Sequence, residues 1–197
     1  MKTILIGEAQ PRVGTRPWEG RSGRRLEKLI GLPAGTLHRF FDLRNALKAW
    51  PGHTGQRGDA FPERRAAKGL LKIVHGMEEG ASAIVCSRRL ALSIGLEAAP
   101  CTWVRTDAET YLGVLPHPSG VNRWWNDPKH RRDAAVFMKM AAAESWLNWS
   151  KRNDPTGHRR ALSIGAFVAQ GKDSPALRVA RAHAFLSAAV RREMEQQ

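Results

Sequence analysis

Cysteine is almost absent: only Cys86 and Cys101 occur in 197 residues. That excludes a disulfide scaffold and any zinc or iron–sulfur site built from four cysteines of this chain, and it fits a reducing compartment. No run of 18 apolar residues occurs, so no membrane span and no membrane partner are expected. The apolar stretch Thr3-Ile4-Leu5-Ile6 stops at Gly7-Glu8 and is too short for a signal peptide. Acidic residues are scarce, at 18 against 32 Lys and Arg, which leaves a net charge of +14. Residues 1–122 and 123–197 each carry +7, so no basic tail supplies the excess. The folded body itself is basic, and a surface of that kind gains free energy by releasing the condensed counterions of a polyanion. Nucleic acid is therefore the expected partner, and a nucleoid-associated cytoplasmic protein the expected setting.

The remainder has an ordinary globular composition, 42% hydrophobic and 25% charged, and 197 residues suffice for one domain with a real core. The pattern predicts a buried strand at 2–6, a helix near 24–31 capped by Ser22, and a second strand from Phe40 to Leu47. A helix follows Pro62 and buries Ala66, Leu70, Ile73, Val74 and Met77. Next come a strand at Ala83–Cys86, a short helix from Ser87 stopped by Gly95, and a strand at Tyr111–Leu115. Alternating strands and helices imply a parallel sheet with helices on its faces. Beyond Asp127 the pattern turns helical. One helix is expected at 133–149, capped by Asp133 with Val136, Phe137, Met140 and Leu147 on its apolar side, and another from Ser174 to about Met194. The expected organisation is a single domain over 1–197, with a core at 1–130 and a helical extension at 131–197.

Parallel sheets collect ligands at the carboxyl ends of their strands. Three polar strand exits are visible: Gly7-Glu8, the Asn45 region and His117–Ser119. Alone, Glu8 suits a salt bridge with Arg12 or Arg16 better than a catalytic role. Trp18, in the glycine-flanked loop Arg16–Gly23, suits either base stacking or the core. Asn45 carries an amide that can read a pyrimidine edge, or serve as a buried structural polar group. In Pro116-His117-Pro118-Ser119-Gly120, two prolines hold an imidazole on a rigid turn. Ser119 and the amides around Gly120 are suited to a phosphate.

Taken together, Ile6-Gly7-Glu8-Ala9, Arg16-Pro17-Trp18-Glu19-Gly20-Arg21-Ser22-Gly23 and His117-Pro118-Ser119-Gly120-x-Asn122 resemble the motifs of the uracil-DNA glycosylase superfamily. Leu43-Arg44-Asn45 stands in the place of its central asparagine segment. The resemblance runs in order over residues 3–127. It implies a three-layer α/β/α domain with a central four-stranded parallel sheet, and cleavage of the N-glycosidic bond of an extruded base. By the resemblance Glu8 positions water and stabilises a cation, and His117 steadies the anion forming at the pyrimidine O2. Trp18, Asn45, Gly7 and Ala9 hold the base. Arg16, Arg21, Ser22, Ser119, Gly120, Asn122, Arg123 and Trp124 contact DNA, the Arg123-Trp124 stretch entering the duplex. A monofunctional enzyme acting as a monomer, without metal or cofactor, is expected. Gln10 stands where the family has proline, and the loop from Ala9 to Arg16 is short. Those departures leave two alternatives: a non-catalytic binder of uracil-containing or modified DNA, and an enzyme that modifies a base in the same pocket.

Overall fold

The computed structural model describes residues 1–11, 16–54, 60–120 and 122–153. The expected helix at 174–194 lies outside these residues, as does the end of the extension. The described chain forms an α/β fold around a five-stranded, mostly parallel mixed sheet. Its strands are β1 (Ile4–Ala9), β2 (Asp42–Leu47), β3 (Ser82–Val85), β4 (Trp103–Arg105) and β5 (Tyr111–Val114), in the order β2-β1-β3-β5-β4. The helices are α1 (Arg21–Ile30), α2 (Leu37–Phe40), α3 (Glu63–His75), α4 (Arg88–Leu92) and α5 (Pro128–Asn153), with a 3-10 turn at Arg123–Asn126.

Alternation along β1 divides the core. Leu5 joins Leu26, Ile30, Leu37, Phe40, Phe137 and Trp125 on one face, under α1, α2 and α5. Ile4 and Ile6 join Ala66, Leu70, Leu90, Val85 and Val114 on the other, under α3 and α4. Successive side chains of a strand point to opposite faces, so a central strand covered on both sides must be apolar throughout. Ile4, Leu5 and Ile6 meet that demand, and Leu5 and Ile6 are wholly buried.

Several expectations need correction. The sheet has five strands, not four, because Trp103–Arg105 pairs antiparallel with β5. This edge strand is three residues long and ends in a charged side chain, too little for periodicity to register. The second strand starts at Asp42; Phe40 closes α2, and both Phe40 and Phe41 are buried in the core. The first helix starts at Arg21 with Gly20 at the cap position, so Ser22 sits inside its first turn. The long helix begins at Pro128, five residues before Asp133. Proline is tolerated in a first helical turn because its missing N–H would lack an intrahelical partner anyway. The Asp127 carboxylate accepts the Lys129 N–H at 2.7 Å, the role expected of Asp133. Its buried stripe is Ala134, Phe137, Met138, Ala141, Ala142 and Trp146; the small alanines let the helix lie close to the sheet.

Ser145 fastens α5 to the residue before β1 and to the end of α2. Its hydroxyl accepts the Thr3 N–H at 2.9 Å and donates to the Phe40 carbonyl, and the oxygen is fully buried. Ser145→Ala leaves a buried donor and acceptor without this partner. A loss of about 1–3 kcal/mol is expected, read as a lower denaturant midpoint at unchanged slope.

Candidate nucleobase site

The strand order reverses direction around β1: β2 lies on one side of it, β3 and β5 on the other. Such a reversal opens a crevice beyond the carboxyl ends of the central strands. Here the crevice is a cleft of about 1110 Å³. It is lined by Gly7, Glu8 and Ala9 from the end of β1, Asn45 from β2, His117 and Ser119 from the turn after β5, and Trp18, Arg21 and Ser22 from the loop into α1. The three strand exits read from sequence therefore meet in one place.

Close approach at Gly7 builds the base of the cleft. Gly7 pairs with Asn45 across β1 and β2. A Cβ on Gly7 would fall 2.3 Å from Asn45 Oδ1 and 3.1 Å from Trp18 Cζ2, so only glycine admits both side chains over the strand tip. Trp18 adopts φ 65°, in the left-handed region, and its indole N–H donates to the Leu5 carbonyl at 3.2 Å. A Cβ on Gly23 would lie 1.9 Å from the Trp18 carbonyl oxygen, which makes the start of α1 the support for this turn. Asn45 Nδ2 donates to Gln10 Oε1 at 3.3 Å. Gln10 thus orients the amide.

The His117 turn is held by its backbone. Its carbonyl accepts Trp125 Nε1 at 2.9 Å and Asn122 Nδ2 at 3.1 Å, while Asn122 Oδ1 accepts the Trp124 N–H at 3.1 Å. The Ser119 carbonyl accepts Arg25 Nη1 at 2.9 Å. Both His117 and Ser119 line the cleft.

Glu8 is salt-bridged to Arg89 and not to Arg16; Arg12, the other arginine expected from sequence, lies outside the described residues. Arg89 Nε donates to Oε1 at 2.7 Å, Arg89 Nη2 donates to Oε2, and Ser87 Oγ donates to Oε1. The Arg89 guanidinium also lies 4.4 Å from the Phe61 ring centroid. Burial raises the Glu8 pKa; the Arg89 and Ser87 hydrogen bonds, the Arg89 charge and nearby His117 together outweigh it. The carboxyl is held below its ordinary 4.5. A group with a depressed folded-state pKa contributes stability above its unfolded value and loses it as pH falls through the folded one. Arg89→Ala removes the strongest opposing hydrogen bonding and the Arg89 charge while leaving the Ser87 bond, so the Glu8 titration moves upward and that acid-side stability shrinks. Carboxyl-carbon NMR titration reads the shift directly, and an unmoved Glu8 would mean that Arg89 does not set its charge.

Not every expected site residue reaches the cleft. Arg16 borders a neighbouring pocket instead, its backbone N–H donating to Glu19 at 3.2 Å. Gly120 and Arg123 are exposed outside the lining residues. Asn122 spends its amide on the turn. Trp124 stacks on His130 at 4.5 Å and meets Trp125 edge-on at 4.9 Å, so it is packed against the body and does not project as a free wedge. Conversely, Ser87, Arg89 and the aromatic wall of Trp50, His53 and Phe61 were not foreseen. The signal for Ser87 and Arg89 was present: Cys86-Ser87-Arg88-Arg89 follows a buried strand, and the rule for strand exits applies to it equally. Among the described residues no cluster of His, Cys, Asp or Glu has the composition of a metal site, and no helix is long and apolar enough to cross a membrane.

No protein-family model and no curated protein sequence matches the chain.

Proposed function

We propose that this protein is a monofunctional DNA glycosylase acting on uracil or a related modified pyrimidine extruded from DNA. One observation carries the reading. An acid, an indole, an amide and an imidazole (Glu8, Trp18, Asn45 and His117) line one cleft, and they are the four residues to which the resemblance gives the acid, stacking, base-reading and anion-stabilising roles. In the proposed reaction the glycosidic bond lengthens, the sugar acquires oxocarbenium character and the base departs as an anion. Trp18 stacks on the base, which typically stabilises it by about 1–3 kcal/mol. Asn45 donates to and accepts from its edge, and His117 donates toward the oxygen that gains charge. Glu8 supplies the negative group near the sugar and orients the attacking water. Arg21, Ser22 and Ser119 at the cleft meet the backbone phosphates, and the net charge of +14 makes binding steeply salt-dependent.

The test is release of free base from uracil-containing oligonucleotides and from a panel of 5-modified pyrimidines, scored as alkali-labile abasic sites. The expected result is abasic product from at least one of them. Absence of product from all, with the folded chain, contradicts the proposal.

The Arg89–Glu8 pair favours a second reading, because a carboxylate already compensated by a guanidinium has less charge to offer a developing cation. In that reading the cleft recognises a flipped base without cleaving it. Affinity then persists in Glu8→Ala and His117→Ala variants, and the wild type leaves no abasic site.

A further inference from the structure

A second pocket, of about 530 Å³, lies behind Trp18. Trp18 borders both it and the large cleft, so a single indole forms a shared wall. The volume falls in the roughly 300–1,000 Å³ range of small-molecule sites. Its inner walls are Trp18, Leu37, Phe41 and Leu43, flat and apolar surfaces suited to a planar ring. Against this lining stands one carboxylate, Glu27, whose residue is only 4% exposed. Glu27 Oε1 accepts the Leu37 N–H at 3.0 Å. Its other oxygen has no hydrogen-bond partner among the described residues, and Glu27 is one of the residues that line the pocket. A buried carboxylate with an open acceptor is costly to leave unsatisfied, so such groups mark places where a donor is meant to arrive.

The mouth carries both signs of charge. Lys2, Arg16 and His38 border it, and Lys2 Nζ reaches the His38 carbonyl at 3.1 Å. The acids there are engaged: Asp42 pairs with Arg44, and Glu19 accepts the Arg16 N–H. A slot walled by Trp18 and Phe41, with an acceptor at Glu27 and the cations Lys2 and Arg16 at its rim, matches a nucleotide, its base inside and its phosphate outside.

We propose that the pocket behind Trp18 is a second nucleotide site, selective for a base that presents adjacent N–H donors to Glu27, which among the common bases is guanine. Guanine offers its N1–H and exocyclic amino group side by side, whereas adenine and cytosine offer one amino group. Thymine and uracil flank a single N–H with two carbonyls that repel a carboxylate. The pocket therefore has the reverse preference to that proposed for the large cleft, and its occupancy does not depend on any chemistry there. The same guanine nucleotide can come from solution or from the strand that enters the cleft, since the two cavities share a wall.

The experiment uses the full chain with dGMP, deoxyguanosine, dAMP and dTMP, read by calorimetry and by NMR shifts of Leu37, Leu43 and Asn45. Binding is expected in the order dGMP, then dAMP, then dTMP, with shifts at Leu37 and Leu43. Glu27→Gln keeps an oxygen for the Leu37 N–H but replaces the open acceptor by a donor, and is expected to weaken dGMP at least tenfold. Lys2→Ala, at a surface position, is expected to weaken dGMP but leave deoxyguanosine unchanged; it serves as the deciding variant should Glu27→Gln not fold. Oligonucleotides carrying guanine or thymine beside the target pyrimidine separate the two sources. A guanine preference that vanishes in Glu27→Gln assigns the site to the strand, and dependence seen only with dGMP assigns it to free nucleotide. No dGMP binding at millimolar concentration, equal binding of dGMP and dTMP, or loss in neither variant overturns the proposal.

Discussion

Alanine in place of His117 is expected to lower the rate of base release by about 10²–10³-fold, with DNA affinity changed little. The magnitude is that of deleting one preorganised donor to an oxygen that gains charge in the transition state, about 2.7–4 kcal/mol. Preorganisation is the reason the effect is large. The turn is set by bonds to the His117 carbonyl from Asn122 and Trp125, with prolines on both sides, so the imidazole need not be ordered at the moment of reaction. Those bonds use the backbone and survive the substitution, which separates loss of chemistry from loss of fold. Single-turnover kinetics beside equilibrium binding tests this. A fall in affinity matching the fall in rate would place His117 in ground-state binding instead. Glu8→Gln, which retains the shape and removes the charge, is expected to act on the rate in the same way.

The second large effect comes from a single methyl group. Gly7→Ala puts a carbon 2.3 Å from Asn45 Oδ1 and 3.1 Å from Trp18 Cζ2, well inside contact distance. The backbone has little freedom to yield, because Gly7 is paired with Asn45 of β2 and directly follows the wholly buried Leu5 and Ile6 of β1. The side chains must move, and both belong to the proposed base site. A displacement of about 1 Å in a positioning group typically costs about 10²-fold. The expected outcome is therefore a loss of that order in kcat/KM for base release, with overpacking lowering stability by about 1–3 kcal/mol. Wild-type turnover in a folded Gly7→Ala protein would show that Asn45 and Trp18 do not hold the base.

Much of this was legible in the sequence because the relevant signals are local and strong. Ile4, Leu5 and Ile6 form an uninterrupted apolar triplet, which a strand buried on both faces requires. Three of the polar exits were visible as breaks where such runs meet Gly7-Glu8, Asn45 and His117. What escaped was set by tertiary contact. β4 is strand only because β5 offers it an edge. The α5 start depends on Asp127 and Pro128 acting together, whereas Asp133 has equal intrinsic capping ability. Glu8 has several arginines within plausible chain distance, and only the fold places Arg89, 81 positions away, against it. Gln10 read as a departure from the family pattern, and its bond to Asn45 became visible only when β1 and β2 were side by side.

The central claim is that Glu8, Trp18, Asn45 and His117 surround one everted base. It is tested most directly by a crystal structure of the full chain with duplex DNA containing 2′-fluoro-2′-deoxyuridine, whose fluorine disfavours the oxocarbenium state and so preserves the bound substrate. The account expects the uracil out of the helix, stacked on Trp18, its edge at Asn45 and its O2 toward His117. A bound duplex with that base still stacked in the helix, or everted onto some other surface, would contradict it.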